Sequence, residues 1–308
     1  DMFWMKLKKD QHILSKMRKK IIEKVFISGS SGFIGKNLCD FLKKEYLILK
    51  PSRNIIDLRN KKKLNSYLKQ NKPNFIIHLA SSTNFKDKPD EEKKNQYDNT
   101  YKTTLNIAKT INKECSLVIF FGSIEEYGNI KYPFKENYKP QPISEYGKYK
   151  LKALKEVQKI LNKKNINYLW VRPSLVFGKY DNKERFLGHI IHSIKNKNKI
   201  EISPGTKKRD YLYIEDLCKI IRLIIKRKNE KFNYVLNISS QNYVPLSRIP
   251  SIIERILKKK IVYKLIKRKD VQTNLLNSNS KLKKLFPKIK FSNFYKFLKK
   301  TLKYEKLI

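Results

Sequence analysis

Cysteine and histidine are both scarce in this chain, and each scarcity excludes something. Its three cysteines (Cys39, Cys115 and Cys218) are far apart and none lies in a CxxC pair, which leaves neither a disulfide framework nor a thiolate metal site and points to a reducing compartment. The four histidines (His12, His78, His189 and His192) form no ligand cluster, so no metal is expected. No uncharged apolar run is long enough to span a bilayer, so no membrane helix is expected. The first twenty residues are basic but have neither an apolar signal core nor a small-residue cleavage site. We read residues 1–21 as a basic extension ahead of the fold, with Met5 or Met17 rather than Asp1 as the native start, and expect a cytoplasmic protein. Acidic residues are also few: 27 Asp+Glu against 71 Lys+Arg give a formal charge of +44. The lysines are spread over every segment rather than gathered in a stripe or tail, which reads as compositional bias; no nucleic-acid partner is expected.

The 308 residues, 40% hydrophobic, contain short β-rich runs at 24–30, 46–50, 74–80, 117–123 and 167–174. Helical patterns lie between them at 33–44, 60–70, 91–112 and 145–164. Such alternation predicts an α/β fold, a Rossmann-type doubly wound parallel sheet. Beyond 175 the pattern turns irregular: a helix near 184–196, a strand near 200, a helix at 214–228 and a further strand in YVLNISS. We expect a dinucleotide-binding domain over 22–175 and a smaller mixed α/β substrate lobe over 176–308, interwoven with it.

The first strand runs into GSSGFIG, which sets Gly29, Gly32 and Gly35 between an apolar strand and an amphipathic helix. Gly29 permits the tight turn, Gly32 admits a pyrophosphate to the backbone, and Gly35 lets helix and strand pack closely. Phosphates would then meet free N–H groups at the helix N-terminus. After the second strand, Ser52 and Arg53 stand where an acid for the ribose 2′-hydroxyl is missing, which favours NADP over NAD. Asp57 is an adenine contact or the N-cap of the next helix.

Tyr146 and Lys150 in SEYGKYK are one helical turn apart, a spacing that recurs at Tyr46/Lys50, Tyr127/Lys131, Tyr263/Lys267 and Tyr295/Lys299. Only this pair shares its stripe with Ala153, Leu154, Val157 and Leu161, so Lys150 sits on the face that apolar residues bury. Upstream, the strand LVIFFGS delivers Ser123 to its C-terminal end, where sites of open parallel sheets lie.

With these residues in place the chain resembles the extended short-chain dehydrogenase/reductase family of nucleotide-sugar epimerases, dehydratases and ketoreductases, over about residues 22–305. GSSGFIG resembles its cofactor turn, HLAS (78–81) its fourth-strand end, and RPSLVFG and RDYLYIEDL two later signatures. The resemblance implies a catalytic set of Ser123, Tyr146 and Lys150, with Asn99 and Glu125 beside it. It implies cofactor contacts from Gly29, Gly32, Phe33, Ile34, Gly35, Arg53, Asp57, Leu79, Ala80, Tyr146 and Lys150. Substrate would meet Ser81, Ser123, Arg209 and Arg268, while Leu175 stands where many members carry an asparagine. Lys150 is expected to lower the Tyr146 pKa, and Tyr146 to exchange a proton with a sugar oxygen as hydride moves to or from NADP or NAD. The implied reaction is epimerisation or 4-ketoreduction of a nucleotide-diphosphate sugar at C4 by a homodimer. The alternatives are a 4,6-dehydratase using Glu125, or a non-catalytic nucleic-acid-binding or regulatory member of the fold. Ile124 takes the first place of the dehydratases' acid pair.

Overall fold

The computed structural model describes residues 22–82, 89–202, 207–266 and 274–308. Six strands form one all-parallel sheet: β1 (Lys24–Ser28), β2 (Leu47–Leu49), β3 (Phe75–His78), β4 (Leu117–Phe121), β5 (Tyr168–Pro173) and β9 (Tyr234–Ile238). Their spatial order is β2-β1-β3-β4-β5-β9. Every residue of β3, β4 and β5 is buried, which is why these strands read as unbroken apolar runs instead of alternating ones. Helices cover both faces. On one face α1 (Phe33–Leu42) packs against α7 (Ile214–Lys226), around Leu38, Leu42, Leu217 and Ile221. On the other lie α2 (Lys61–Asn71), α4 (Thr103–Thr110) and α5 (Glu145–Lys164), which bury Leu64, Ile107 and Val157. This is the doubly wound architecture the alternation predicts.

The last strand of the main sheet differs from expectation. YVLNI was read into the smaller lobe, yet β9 pairs with β5, Leu169 opposite Tyr234 and Pro173 opposite Ile238. Local pattern identifies a strand but not its neighbour. The outer edge of β9 is closed by side chains: Glu136 Oε1 accepts the Asn237 N–H at 2.9 Å, and Lys281 Nζ donates to the Val235 carbonyl at 2.9 Å. The stretch predicted as one helix at 91–112 also differs. It is α3 (Pro89–Gln96), a π-helical turn Tyr97–Lys102, and α4. One extra residue per turn leaves the polar/apolar pattern almost unchanged, and such turns favour functional sites.

The remaining strands make two small sheets. In one, β8 (Lys208–Tyr213) lies between β6 (Leu175–Phe177) and β10 (Tyr243–Pro245); in the other, β7 (Ile200–Ile202) pairs with β11 (Tyr263–Leu265). Between and after them come α6 (Phe186–Lys195), α8 (Ile249–Leu257), α9 (Ser280–Leu285) and α10 (Phe294–Tyr304). Among the described residues no helix is long and apolar enough to cross a membrane.

Candidate active site

The chain leaves β1 for β2 on one side and then returns to β3 on the other, so the strand order reverses between β1 and β3. A crevice opens at the carboxyl ends of strands flanking such a reversal. Gly29 turns the chain there with φ of +70°, and a Cβ on it would lie 2.8 Å from the Ala80 backbone nitrogen. A Cβ on Gly35 would lie 2.2 Å from the Gly29 carbonyl oxygen. Helix α1 therefore starts tight against the turn. Its N-cap, Gly32, brings no side chain to the free N–H groups, and its first turn carries no acid. Phe33 and Ile34 pack this turn against the core. Leu79 and Ala80 line the other wall, their N–H groups donating to Ser28 Oγ at 3.2 and 3.4 Å.

Arg53 is exposed beyond β2, 3.9 Å from Asp57. Asp57 is not the helix cap. Asn60 caps α2 by accepting the Lys63 N–H, whereas Asp57 accepts the Arg59 N–H at 2.9 Å and pairs with its guanidinium at 2.6 Å. Those hydrogen bonds hold the Asp57 carboxyl down at about 2.

Beneath the crevice His78 is fully buried. Its Nδ1 lies 2.8 Å from Ser28 Oγ and its Nε2 3.0 Å from Thr104 Oγ1. Thr104 gives its own proton to the Thr100 carbonyl at 2.6 Å, so the ring donates from Nε2 and accepts at Nδ1. Burial, and after it the charge of Lys150, press His78 down to about 3, so the ring is neutral.

The catalytic candidates converge at the ends of β3 and β4. The Ser144 hydroxyl caps α5 by accepting the Gly147 N–H at 3.1 Å and itself donates to Glu125 Oε2 at 2.7 Å. At the second residue of the helix, Tyr146 is buried and hydrogen-bonded to the Ser81 and Ser123 hydroxyls. Lys150, 1% exposed, donates to the Phe121 carbonyl at 2.6 Å, its Nζ 5.6 Å from the Tyr146 ring centre. Burial lowers Lys150 to about 8 although Glu126 opposes this. The expected lowering of Tyr146 by lysine is not found. Burial first, then Glu125 and Glu126, push its hydroxyl above the ordinary value, against the two serine hydrogen bonds. Removal of the phenol from water dominates, and the two carboxylates add to it.

The remaining candidates are dispersed. Asn99 sits in the π turn, which packs against α5, and donates to Asn95 Oδ1 at 2.5 Å. The same turn and the last residue of α3 anchor the Ser81 loop, since Thr100 Oγ1 accepts the Ser82 N–H at 3.1 Å and Gln96 donates to the Ser82 carbonyl at 3.3 Å. Arg209 lies on β8 with 8% exposure, its Nη1 donating to the Lys208 carbonyl at 3.1 Å. Its neighbour Asp210 is fully buried and accepts from the Ser174, Ser239 and Ser240 hydroxyls. Burial raises Asp210 to about 6. Arg268 lies outside the described residues.

Glu126 was missed in the sequence. It is fully buried and pairs with Arg172 Nη2 at 2.8 Å. The available signal was in β5, where Trp170 and Arg172 are two apart and share a face; an arginine in a buried strand needs an acid partner. Among the described residues no group of three or more His, Cys, Asp or Glu is placed to hold a metal ion.

Comparison with known proteins agrees with this geometry. The sequence model of the NAD dependent epimerase/dehydratase family matches residues 25–239. The GDP-6-deoxy-D-talose 4-dehydrogenase of Aggregatibacter actinomycetemcomitans is 28% identical over 239 residues, covering 71% of this chain and 76% of that protein. The GDP-L-fucose synthase of Dictyostelium discoideum is 23% identical over 308 residues, covering 90% and 93%. The UDP-glucuronic acid 4-epimerase of Bacillus cereus, solved with UDP-glucuronic acid and NAD, superposes with a TM-score of 0.79 at 21% identity, over 92% of this chain and 99% of that one. The last likeness is one of fold.

Proposed function

The chain belongs to the NAD-dependent epimerase/dehydratase family, and on that premise we propose that it is a 4-ketoreductase acting at C4 of a nucleotide-diphosphate sugar, with an epimerase of the same sugar class as the second reading. The observation that carries this is the meeting of the Tyr146, Ser81 and Ser123 hydroxyls one helical turn from a buried lysine.

The residues at the β1/β3 crevice suit a dinucleotide. Two glycines whose Cβ positions are already occupied, a helix start free of acids, and the Leu79–Ala80 wall leave backbone N–H groups to meet a pyrophosphate. A nicotinamide held there supplies the hydride chemistry. Gly29, Gly32 and Gly35 would seat its phosphates, and Arg53 is the charged group available to a 2′-phosphate.

The chain's own part is to hold the sugar oxygen and move one proton. Ser81 and Ser123 orient that oxygen through their hydroxyls, and Tyr146 exchanges its phenolic proton with it. Burial raises the Tyr146 hydroxyl above its ordinary value, so the phenol holds a proton that it can give to the sugar oxygen. Two relatives whose names carry a GDP-sugar, one of them a 4-dehydrogenase, support the reductive reading and a GDP-linked deoxyhexose. Dehydration finds less support, because Ile124 is buried and apolar where an acid would stand and Glu125 is engaged by Ser144. Arg209 is the residue offered to the substrate phosphates. Homodimerisation would use the face of α4, α5 and the π turn, where Tyr97, Tyr101 and Tyr149 cluster and Tyr97 is 46% exposed.

In the test, Tyr146→Phe abolishes turnover of a panel of GDP-, UDP- and dTDP-4-keto sugars while dinucleotide binding stays within about twofold of wild type, ~0.4 kcal/mol. Full activity in that variant would end this reading.

A further inference from the structure

The carboxylate of Glu126 is saturated with donors. Its Oε1 accepts the Ser123 N–H at 2.8 Å and the Trp170 indole N–H at 3.0 Å; its Oε2 accepts from Arg172 Nε at 2.9 Å and Nη2 at 2.8 Å. Gly122, immediately before Ser123, has no room for a side chain. A Cβ there would lie 2.1 Å from the Trp170 indole nitrogen and 2.2 Å from Glu126 Oε1. The chain thus leaves β4 closed down onto a buried acid, and the residue at the closure carries one of the two hydroxyls that hold Tyr146. Ser123 Oγ in turn accepts the Glu125 N–H at 3.2 Å, so both ends of Ser123 are fixed by this short turn.

We propose that Glu126 is a positioning residue of the active site, fixing Ser123 through its backbone and supplying, with Arg172 as its clamp, a negative charge that acts on Lys150. This rests on the reading of Tyr146, Ser123 and Lys150 as the reacting set. An apolar residue at 126 would fill the space and leave Ser123 without its anchor. An unclamped acid would take up a proton, since a buried carboxylate is stable as an ion only with its donors in place. Arg172 is itself held, stacked over the Tyr127 ring at 4.4 Å while Tyr127 donates to Asn237 at 2.8 Å. The titratable groups that act on or contact Lys150 are Glu126 from the turn, Tyr146 from its own helix and neutral His78 from β3. Glu126 raises both Lys150 and Tyr146, so its loss moves both groups the same way.

The experiment follows the Lys150 titration by 13C-lysine NMR, the resonance assigned by its disappearance in Lys150→Met, and needs no substrate. In Glu126→Gln the Lys150 midpoint falls below its wild-type value, and kcat falls by about 10- to 100-fold with the dinucleotide Kd unchanged. Should that variant fail to fold, the double variant Glu126→Met, Arg172→Met replaces the ion pair with apolar side chains, a change that buried pairs often tolerate. In a folded protein it gives the same fall in kcat with the dinucleotide Kd unchanged, because Ser123 has lost its anchor. A folded Glu126→Gln protein with the wild-type Lys150 midpoint, or either folded variant with wild-type turnover, overturns the proposal. If wild-type protein turns over no nucleotide sugar, the functional reading fails by itself and the titration still decides the role of Glu126.

Discussion

Replacing Gly35 with alanine tests the glycine turn most directly. The added Cβ would lie 2.2 Å from the Gly29 carbonyl oxygen, 2.7 Å from Ser30 Cα and 2.9 Å from the Gly29 carbonyl carbon. All three are backbone atoms, so no side chain can swing aside. Relief to ordinary contact needs a movement of about 1.2 Å between α1 and the turn. Overpacking of this kind costs typically 1–3 kcal/mol, and a rigid backbone neighbour places it near the top, about 3 kcal/mol. At roughly 2–4 °C per kcal/mol for a chain of this size, Tm falls by about 6–12 °C. The same movement displaces the helix N-terminus from the crevice, so dinucleotide affinity falls as well. Gly32→Ala is the contrast. Its φ of −75° suits alanine, and its nearest neighbour is the Gly29 oxygen at 3.3 Å. That variant keeps Tm within about 2 °C yet raises the NAD(P)H Kd at least about tenfold, ~1.4 kcal/mol, because its methyl group occupies the approach of the phosphates. Differential scanning fluorimetry and fluorescence titration of bound NAD(P)H separate the two effects. A Gly35→Ala protein with wild-type Tm and Kd would refute the packing argument, and a Gly32→Ala protein with wild-type Kd would refute the placement of the phosphates.

Two further outcomes can be measured. His78, lowered to about 3 from 6.5, withholds a proton that the unfolded chain takes up below 6.5, so stability falls as pH drops from there. Asp210, raised to about 6 from 3.8, acts oppositely, its contribution being full below 3.8 and lost as pH rises to 6. Between pH 4 and 6 the two slopes cancel, each about 1.4 kcal/mol per pH unit. In Asp210→Asn, denaturant melts show the His78 slope alone, stability falling as pH drops; a flat profile there would count against the reasoning. Lys164 donates to the carbonyls of Ala108, Lys109 and Ile111 at the end of α4. Lys164→Met costs about 1–2 kcal/mol in urea melts, and no loss would show that water replaces those bonds freely.

Much of this arrangement is legible from residue order because the strands are buried on both faces and their apolar runs are therefore unbroken. Helix α5 was read with its observed limits, since Ser144 caps one end and left-handed Asn165 stops the other. Lys150 stood out for a reason the structure preserves: it lies on the buried stripe with Ala153, Leu154 and Val157. What was not legible depends on distant partners. Glu126 beside Glu125 looks like a second surface acid until Trp170 and Arg172 arrive 44 and 46 residues later. The place of β9 depends on which sheet edge is open, and the Tyr146 pKa on how much water the folded chain removes. Neither quantity is written in a local pattern.

The side chains along the outer edge of β9 also bear on assembly. An open parallel sheet can be extended by any chain able to offer a strand, and the last strand is the natural point of attack. Here a second chain would have to displace both the glutamate and the lysine that already occupy the strand's hydrogen-bonding groups. Growth strand by strand at this border is opposed by groups the chain itself supplies.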